Sequence, residues 1–166
     1  MDSRLKFDTA ELQRGLESLS GPLAVSLARS MAVAGGEIIR DEAKARAPVG
    51  TAEGGSITPG LLRSSIYLAF RDGVSTEQKV VYSVSWNSKK APHGHLLEFG
   101  HWMTHVSYKG PDGEWHGTNK LLAAPRWVAA RPFLRPANDA AGGRAVAAML
   151  DRGRVRLPEL IAEAKP

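Results

Sequence analysis

The spacing of the apolar residues changes near residue 60 of this chain, and the change restricts the fold class. Apolar residues recur on one stripe over 23–38, with the period of an amphipathic helix. Beyond that point, apolar and polar residues alternate over 62–70 and again over 80–86, which is typical of strands. The pattern therefore predicts an α+β protein in which a long N-terminal helix, within 10–47, packs on a small antiparallel sheet.

Proline and glycine set the expected limits of the helical segment. Pro22 predicts a break or a kink, because proline lacks the backbone N–H and clashes with the preceding turn. Pro48 ends the segment, since it forces the residue before it out of the helical region. Gly35 and Gly36 lie inside the apolar stripe, where each glycine costs a helix about 1 kcal/mol relative to alanine. We favour a local weak point over the close approach of another backbone as the explanation of this pair.

Shorter patterns predict the remaining elements, and 166 residues fit one domain. Residues 95–100 form a short apolar element, either a helical turn or a strand. Strand-like pieces over 102–108 and 114–118 flank a turn rich in glycine and proline, which predicts an extended hairpin arm over 102–127. The predicted organisation is a single domain, 1–166, with these parts: a helical segment over 10–47, sheet and loops over 61–136, a C-terminal helix over 137–152 and a tail over 153–166.

The composition argues against several kinds of site. The chain has no cysteine, which removes disulfides, Cys-ligated zinc, iron–sulfur clusters and thiol nucleophiles. It contains no phosphate loop, dinucleotide fingerprint or nucleophile elbow. His101 and His105 have the spacing of zinc ligands on a helix, but we expect a strand there, which places them about 13 Å apart. We therefore predict no enzymatic activity, no metal and no cofactor.

Glu98 is the acidic residue whose neighbours in the sequence are apolar, namely Leu96, Leu97 and Phe99. A half-buried glutamate is more often paired with an arginine than tuned for acid–base chemistry. We therefore expect a structural ion pair at Glu98 and no catalytic role.

The positive charge is concentrated near the C-terminus. The formal net charge is +5, and residues 121–166 hold eight basic and four acidic side chains, a net of +4. In an extended segment the alternating Arg152, Arg154 and Arg156 would share one face, as contact with phosphates requires. Together with Arg144, they are the residues that we expect to face a protein partner or DNA.

No segment of the sequence approaches the ~20 continuous apolar residues that a membrane span requires. The N-terminal residues are polar, without the apolar run of a secretory signal. We therefore expect no membrane partner and place the protein in the cytoplasm or in an assembly formed there.

Three motifs in a fixed order indicate a family. The first is Ala47-Pro48-Val49-Gly50-Thr51, followed by a proline-to-isoleucine stretch over 59–66. The second is His95-Leu96-Leu97-Glu98-Phe99-Gly100, and the third is Ala130-Arg131-Pro132-Phe133-Leu134-Arg135-Pro136-Ala137. Together they resemble the tail-completion, or head–tail joining, proteins (minor tail proteins) of long-tailed, siphovirus-type bacteriophages. The resemblance covers about residues 10–150, and the third motif is its most specific part.

The resemblance implies a non-enzymatic structural protein of the virion neck, without a cofactor. It implies a homo-oligomeric ring, for which we expect a hexamer, between a head connector or stopper protein and a tail terminator or tail tube protein. The ring would lie in the virion, after assembly in the host cytoplasm, with possible non-specific contact with DNA in its channel. The alternative function is a basic accessory protein that binds nucleic acid without sequence specificity.

The motif residues have expected structural roles. Pro132 and Pro136 fix the backbone of a rigid turn, and Phe133 and Leu134 anchor that turn in the core. Arg131 and Arg135 are the expected partners of Glu98, and Phe99 and Gly100 complete the second motif.

Overall fold

The computed structural model describes residues 21–50, 58–111, 113 and 115–163. In these residues the chain forms helices, strands and one 3₁₀ turn, which we number in chain order. They are α1 (Gly21–Arg46), α2 (Leu61–Ser65), β1 (Ile66–Phe70), the 3₁₀ turn (Asp72–Val74), β2 (Tyr82–Trp86), α3 (Gly94–Phe99), β3 (His101–Lys109), β4 (Trp115–Val128) and α4 (Leu134–Glu163). The start of the predicted helical segment, 10–20, lies outside the described residues.

The α+β prediction is confirmed. In the described residues, β1 pairs with β2 and β3 pairs with β4, so that two small two-stranded sheets accompany the long helices α1 and α4. Helix α1 lies against the first sheet, since the Arg29 guanidinium is 4.3 Å from the ring centroid of Phe70 in β1. Turn residues join β1 to β2, and the Arg71 N–H donates to the Val81 carbonyl oxygen at 2.9 Å.

The strand predicted over 62–70 is half right, because its first residues form α2. Leu62, Ser65 and Ile66 are all buried, and spacings of three and four residues bring side chains to one side of a helix. The Ser65 hydroxyl donates to the Leu62 carbonyl oxygen at 2.7 Å, which satisfies a polar group inside this buried turn. Alternating polarity alone does not separate a short helix from a strand at this position.

The C-terminal helix is longer than predicted at both ends, and the predicted tail at 153–166 is helical as far as Glu163. The extension buries Leu157 and Leu160 in a cluster with Leu27 of α1. Pro158 lies inside the helix and removes one hydrogen bond, but the apolar contacts on either side of it hold the helix together.

Contacts within the chain define two compact units. The first comprises Met1–Glu42, Leu68–Ser85 and Ala137–Pro166, and the second comprises Ala43–Tyr67 and Trp86–Pro136. The first unit has the leucine cluster of α1 and α4 as its core. Among the described residues, the buried apolar side chains of the second unit are Ala43, Ala47, Leu62, Ile66, Ala91 and Phe133.

Gly35 marks a close approach of α4 to α1, which is the interpretation that the sequence made less favoured. A Cβ atom at Gly35 would lie 2.5 Å from Met149 Cγ and 3.0 Å from the backbone oxygen of Ala145. On the same helix, a Cβ at Gly36 would lie 2.5 Å from Leu68 Cδ1 in β1. The two glycines therefore let one helix approach both a neighbouring helix and a strand.

Helix α1 also passes, by length and composition, as a membrane span, which the sequence count did not anticipate. Core helices of soluble proteins meet the same criterion. Here Leu27 is fully buried against Leu157 and Leu160, and Leu23 and Met31 pack against that cluster. These contacts give Leu23, Leu27 and Met31 partners within the chain, whereas 11% of the apolar window of α1 as a whole is buried.

We predict that Gly35→Ala lowers the free energy of unfolding by about 1 to 3 kcal/mol, because the added methyl group overpacks the contact with α4. Gly142→Ala is the matched control, since a Cβ there has nothing within 4 Å. The control should raise the free energy of unfolding by about 1 kcal/mol through helix propensity. Urea denaturation followed by circular dichroism measures both, and equal effects of the two changes would contradict the close approach.

Candidate assembly interface

The Glu98 carboxylate accepts three backbone N–H groups at the start of α4. Its Oε2 accepts from Phe133 at 2.8 Å and from Leu134 at 3.0 Å, and its Oε1 accepts from Arg135 at 3.2 Å. The first N–H groups of a helix have no partner within the helix, so each needs an acceptor from elsewhere. The next residue, Pro136, has no N–H. Glu98 and Pro136 together account for the backbone donors of residues 133–136.

This arrangement is electrostatically favourable as well as complete. Glu98 is 7% exposed, and its negative charge lies at the positive end of the α4 dipole. Hydrogen bonds to an ionised acceptor are roughly twice as strong as those between neutral groups. The carboxylate therefore acts as a cap supplied by a residue far away in the sequence.

The expected ion pair between Glu98 and an arginine is wrong. In the part of the chain that the structure describes, neither Arg131 nor Arg135 forms an ion pair with Glu98, and both side chains are exposed. These two arginines stabilise the turn through backbone hydrogen bonds. Arg135 donates its N–H to the carboxylate, and Arg131 donates its N–H to the Leu97 carbonyl oxygen at 2.7 Å.

Short-range features hold α3 in place beneath this cap. Gly94 has no Cβ, and one would collide with the indole of Trp86. Gly100 ends the helix at φ 73°, a backbone conformation that favours glycine. Its N–H donates to the Leu96 carbonyl oxygen at 2.9 Å. The position of α3 therefore fixes the Glu98 side chain, and this places its carboxylate within hydrogen-bond distance of the N–H groups of residues 133–135.

The other motif residues separate into buried and exposed sets. Phe133 is fully buried, and its ring meets that of Trp86 edge-on with centroids 5.8 Å apart. Leu134 and Pro136 are half-buried, whereas Pro132 and Phe99 are exposed. The turn is thus anchored by one aromatic ring and by backbone hydrogen bonds.

The predicted hairpin arm is present, and its strands are longer than the sequence indicated. Strand β3 has 9 residues and β4 has 14, paired antiparallel from His101↔Val128 to Lys109↔Trp115. The register shifts twice, between Met103 and His105 and again before Ser107. Such irregularities increase the local twist of a hairpin and are difficult to locate by residue pattern.

Large apolar side chains of the arm face outward. Trp102 is 61% exposed and Trp127 49%, and their rings contact each other edge-on with centroids 5.4 Å apart. Tyr108 and Leu121 are also more than half exposed. We call Trp102, Tyr108, Leu121 and Trp127 the arm surface. Residues of both strands line a shallow depression of about 600 Å³, formed by Met103, Val106, Ser107, Leu122, Ala124 and Arg126.

This exposure makes the arm a candidate contact region. Tryptophan and tyrosine are enriched among the residues that dominate binding energy in protein interfaces. An isolated two-stranded hairpin is only marginally stable in water, so a protein surface that packs on such an arm would stabilise it. The sequence showed that aromatic residues lie in the arm, but a strand pattern does not reveal which of them the remainder of the chain leaves uncovered.

The segment that holds Arg152, Arg154 and Arg156 is helical, so the shared face that an extended segment would give does not form. Residues two apart on a helix point in different directions. Three of the four arginines have carboxylate partners within the chain: Arg144 pairs with Glu42 at 2.6 Å, Arg154 with Asp151 at 2.9 Å, and Arg156 with Glu159 and Glu163 at 2.8 and 2.9 Å. The hydrogen bond with Glu159, followed by that with Glu163, raises the pKa of Arg156. Arg152 instead donates to the Ser30 hydroxyl at 2.7 Å.

The histidines do not form a cluster of ligands. Among the residues that the structure describes, no three histidine, aspartate or glutamate side chains come together in a geometry suited to a metal ion. His95 Nδ1 lies 2.7 Å from the Pro92 carbonyl oxygen. His101 Nδ1 and Trp86 Nε1 are buried without a hydrogen-bond partner.

One protein family, described as “Bacteriophage HK97-gp10, putative tail-component”, matches residues 10–100, which is more than half of the chain. The match includes two of the three sequence motifs and the glutamate that caps α4. No curated protein and no solved structure matches the chain.

We predict that Glu98→Gln lowers the free energy of unfolding by about 2 to 3 kcal/mol. The amide keeps one acceptor oxygen but turns an N–H₂ group toward backbone donors, and the charge at the helix start is lost. Arg131→Gln and Arg135→Gln test the ion pair instead, and each should change the free energy by less than about 0.5 kcal/mol. Chemical denaturation of the three variants decides between a helix cap and an ion pair. An ion pair predicts that replacing the arginine partner lowers the free energy of unfolding about as much as replacing Glu98.

His93 gives the protein a pH-dependent stability. Burial lowers the pKa of His93 below its ordinary value of 6.5, so the unfolded chain binds this proton more readily than the folded chain. Its contribution is fully present above pH 6.5 and is lost as the pH falls toward the lowered pKa. We predict that the urea midpoint falls between pH 7.5 and pH 5, and that His93→Gln reduces this fall. An identical pH dependence in the variant would contradict the assignment.

Proposed function

Because the chain belongs to the HK97-gp10-like family of bacteriophage tail components, we propose that it is a non-enzymatic structural subunit of the virion neck. In this proposal several copies form a ring that joins the tail to the head connector. The ring adjoins a tail terminator or tail tube protein on one side and a connector or stopper protein on the other.

The observation that carries the proposal is the arm surface. It presents aromatic and aliphatic side chains on a hairpin whose two strands have, among the described residues, only each other as hydrogen-bonded neighbours. Exposed aromatic and aliphatic side chains of this size indicate an interaction site for another protein.

A ring requires that each copy contact its neighbours through two different surfaces, because head-to-tail contacts close only in that way. The arm surface supplies one of them. Contacts made by an extended arm bury limited area in each pair, and we therefore expect a monomer in dilute solution and a ring at higher concentration.

The C-terminal arginines were the main support for the nucleic-acid alternative, and their contacts in the structure weaken that support. Arg144, Arg154 and Arg156 are neutralised by carboxylates of the same chain, so they form no uninterrupted basic stripe for a phosphate backbone. DNA would meet acidic and basic groups in alternation along α4. A protein partner accounts better than DNA for the exposed apolar side chains of the arm surface.

We predict that Trp102→Ser combined with Trp127→Ser raises the concentration for half assembly by about tenfold or more, as expected for loss of central aromatic anchors. Sedimentation velocity over a range of concentrations measures the effect. Val74→Ser is the matched control, since Val74 is 59% exposed but lies in the 3₁₀ turn outside the arm.

The rings of the two tryptophans also contact each other edge-on, so replacing both could alter the arm itself. Leu121→Asp tests the same surface through a residue that is 65% exposed and takes part in no ring contact. We expect it to weaken assembly without changing the urea midpoint. Assembly of both arm variants at the concentration of the unchanged protein would contradict the proposal.

A further inference from the structure

A cleft in the first unit has two arginines in its wall. It has a volume of about 370 Å³ and lies between α1 and α4. Arg29 and Ser30 contribute from α1 and Arg152 from α4. The remaining lining residues are Val33, Ala34 and Glu37.

Both arginines are held in position, and Arg29 also lines a neighbouring pocket with Asp72 and Glu77 of its own chain. Arg152 donates through Nε to the Ser30 hydroxyl at 2.7 Å, and the Arg29 guanidinium lies 4.3 Å from the Phe70 ring centroid. In the described part of the chain, neither of them forms an ion pair. Guanidinium groups arranged in advance lose less conformational freedom when an anion binds.

The groups around the cleft restrict the anion that fits. Glu37 lies in the wall but is bonded to Arg40 at 3.3 Å, and the pKa of Arg40 is raised, chiefly by its hydrogen bond with Asp41. Asp151, on the same helix as Arg152, is exposed. These two carboxylates are already paired within the chain, so Arg29 and Arg152 remain available to one incoming carboxylate side chain.

We propose that this cleft binds a carboxylate side chain of a second copy of the chain, and that it is thereby part of the second surface of the ring. The inference rests on the proposed function, which requires two different contact surfaces on each copy. The chain itself offers suitable carboxylates. In its described residues, three exposed acids have no ion pair, namely Asp72, Glu77 and Asp139.

The first experiment compares Arg152→Glu with Arg154→Glu by sedimentation velocity. The two changes alter charge equally and lie two residues apart on α4, but only Arg152 lines the cleft. Arg152→Glu should raise the concentration for half assembly by about tenfold or more, since it places a like charge against the incoming carboxylate. Arg154→Glu should have a much smaller effect. The urea midpoint of each variant confirms that folding is retained.

The second experiment identifies the acid. Arg152→Glu is combined in turn with Asp72→Arg, Glu77→Arg and Asp139→Arg, and one of the three combinations should restore assembly. Failure of all three would overturn the assignment of a second copy as the partner. Loss of retention on DNA-cellulose in Arg152→Glu, with assembly unchanged, would overturn it in favour of nucleic acid.

The outcomes separate this inference from the function on which it rests. If the unchanged protein does not assemble at any concentration, the proposed ring is contradicted, and the cleft contact fails with it. If the unchanged protein assembles and Arg152→Glu assembles equally well, the ring stands and the cleft inference alone is wrong.

Discussion

The start of the last helix depends on one carboxylate that lies 35 to 37 residues earlier in the chain. Glu98 receives the N–H groups of residues 133–135, and the proline that follows them has none to offer. Without this acceptor, the helix would begin with three donors unpaired, and the buried N–H of Phe133 alone would cost about 1 to 3 kcal/mol. The second and third sequence motifs are therefore the two halves of one hydrogen-bonded structure.

The sequence predicted the fold class because periodicity reports which side of an element is buried. It predicted α1 and the hairpin arm for the same reason, and it identified Glu98 as an unusual acid from its apolar neighbours alone. It did not predict the partner of Glu98, because composition suggests side chains as partners and says little about backbone groups. Counting the unpaired N–H groups at the start of a helix after Pro132 would have revealed the need for an acceptor.

Two other differences between the sequence predictions and the structure, at Pro158 and at Gly35, both result from packing between residues far apart in the sequence. The helix continues past Pro158 because Leu157 and Leu160 meet Leu27, a residue far away in the sequence. Gly35 is tolerated in a helix because Met149 and Ala145 occupy the space that a side chain would fill. Local propensity disfavours both positions, and only the tertiary contacts reverse that preference. The exposed arm surface is equally invisible to local pattern, since exposure depends on what the rest of the chain covers.

The base of the arm is closed independently of its length. His101 pairs with Val128, and just outside that pair the Arg131 N–H bonds to the Leu97 carbonyl oxygen. Residues can therefore be added or removed between the two strands while the closure and the helix cap stay the same, because lengthening a loop costs little entropy. Tail components of this family can therefore differ in the length and sequence of this arm on an unchanged scaffold, so that a change in the arm need not disturb the fold.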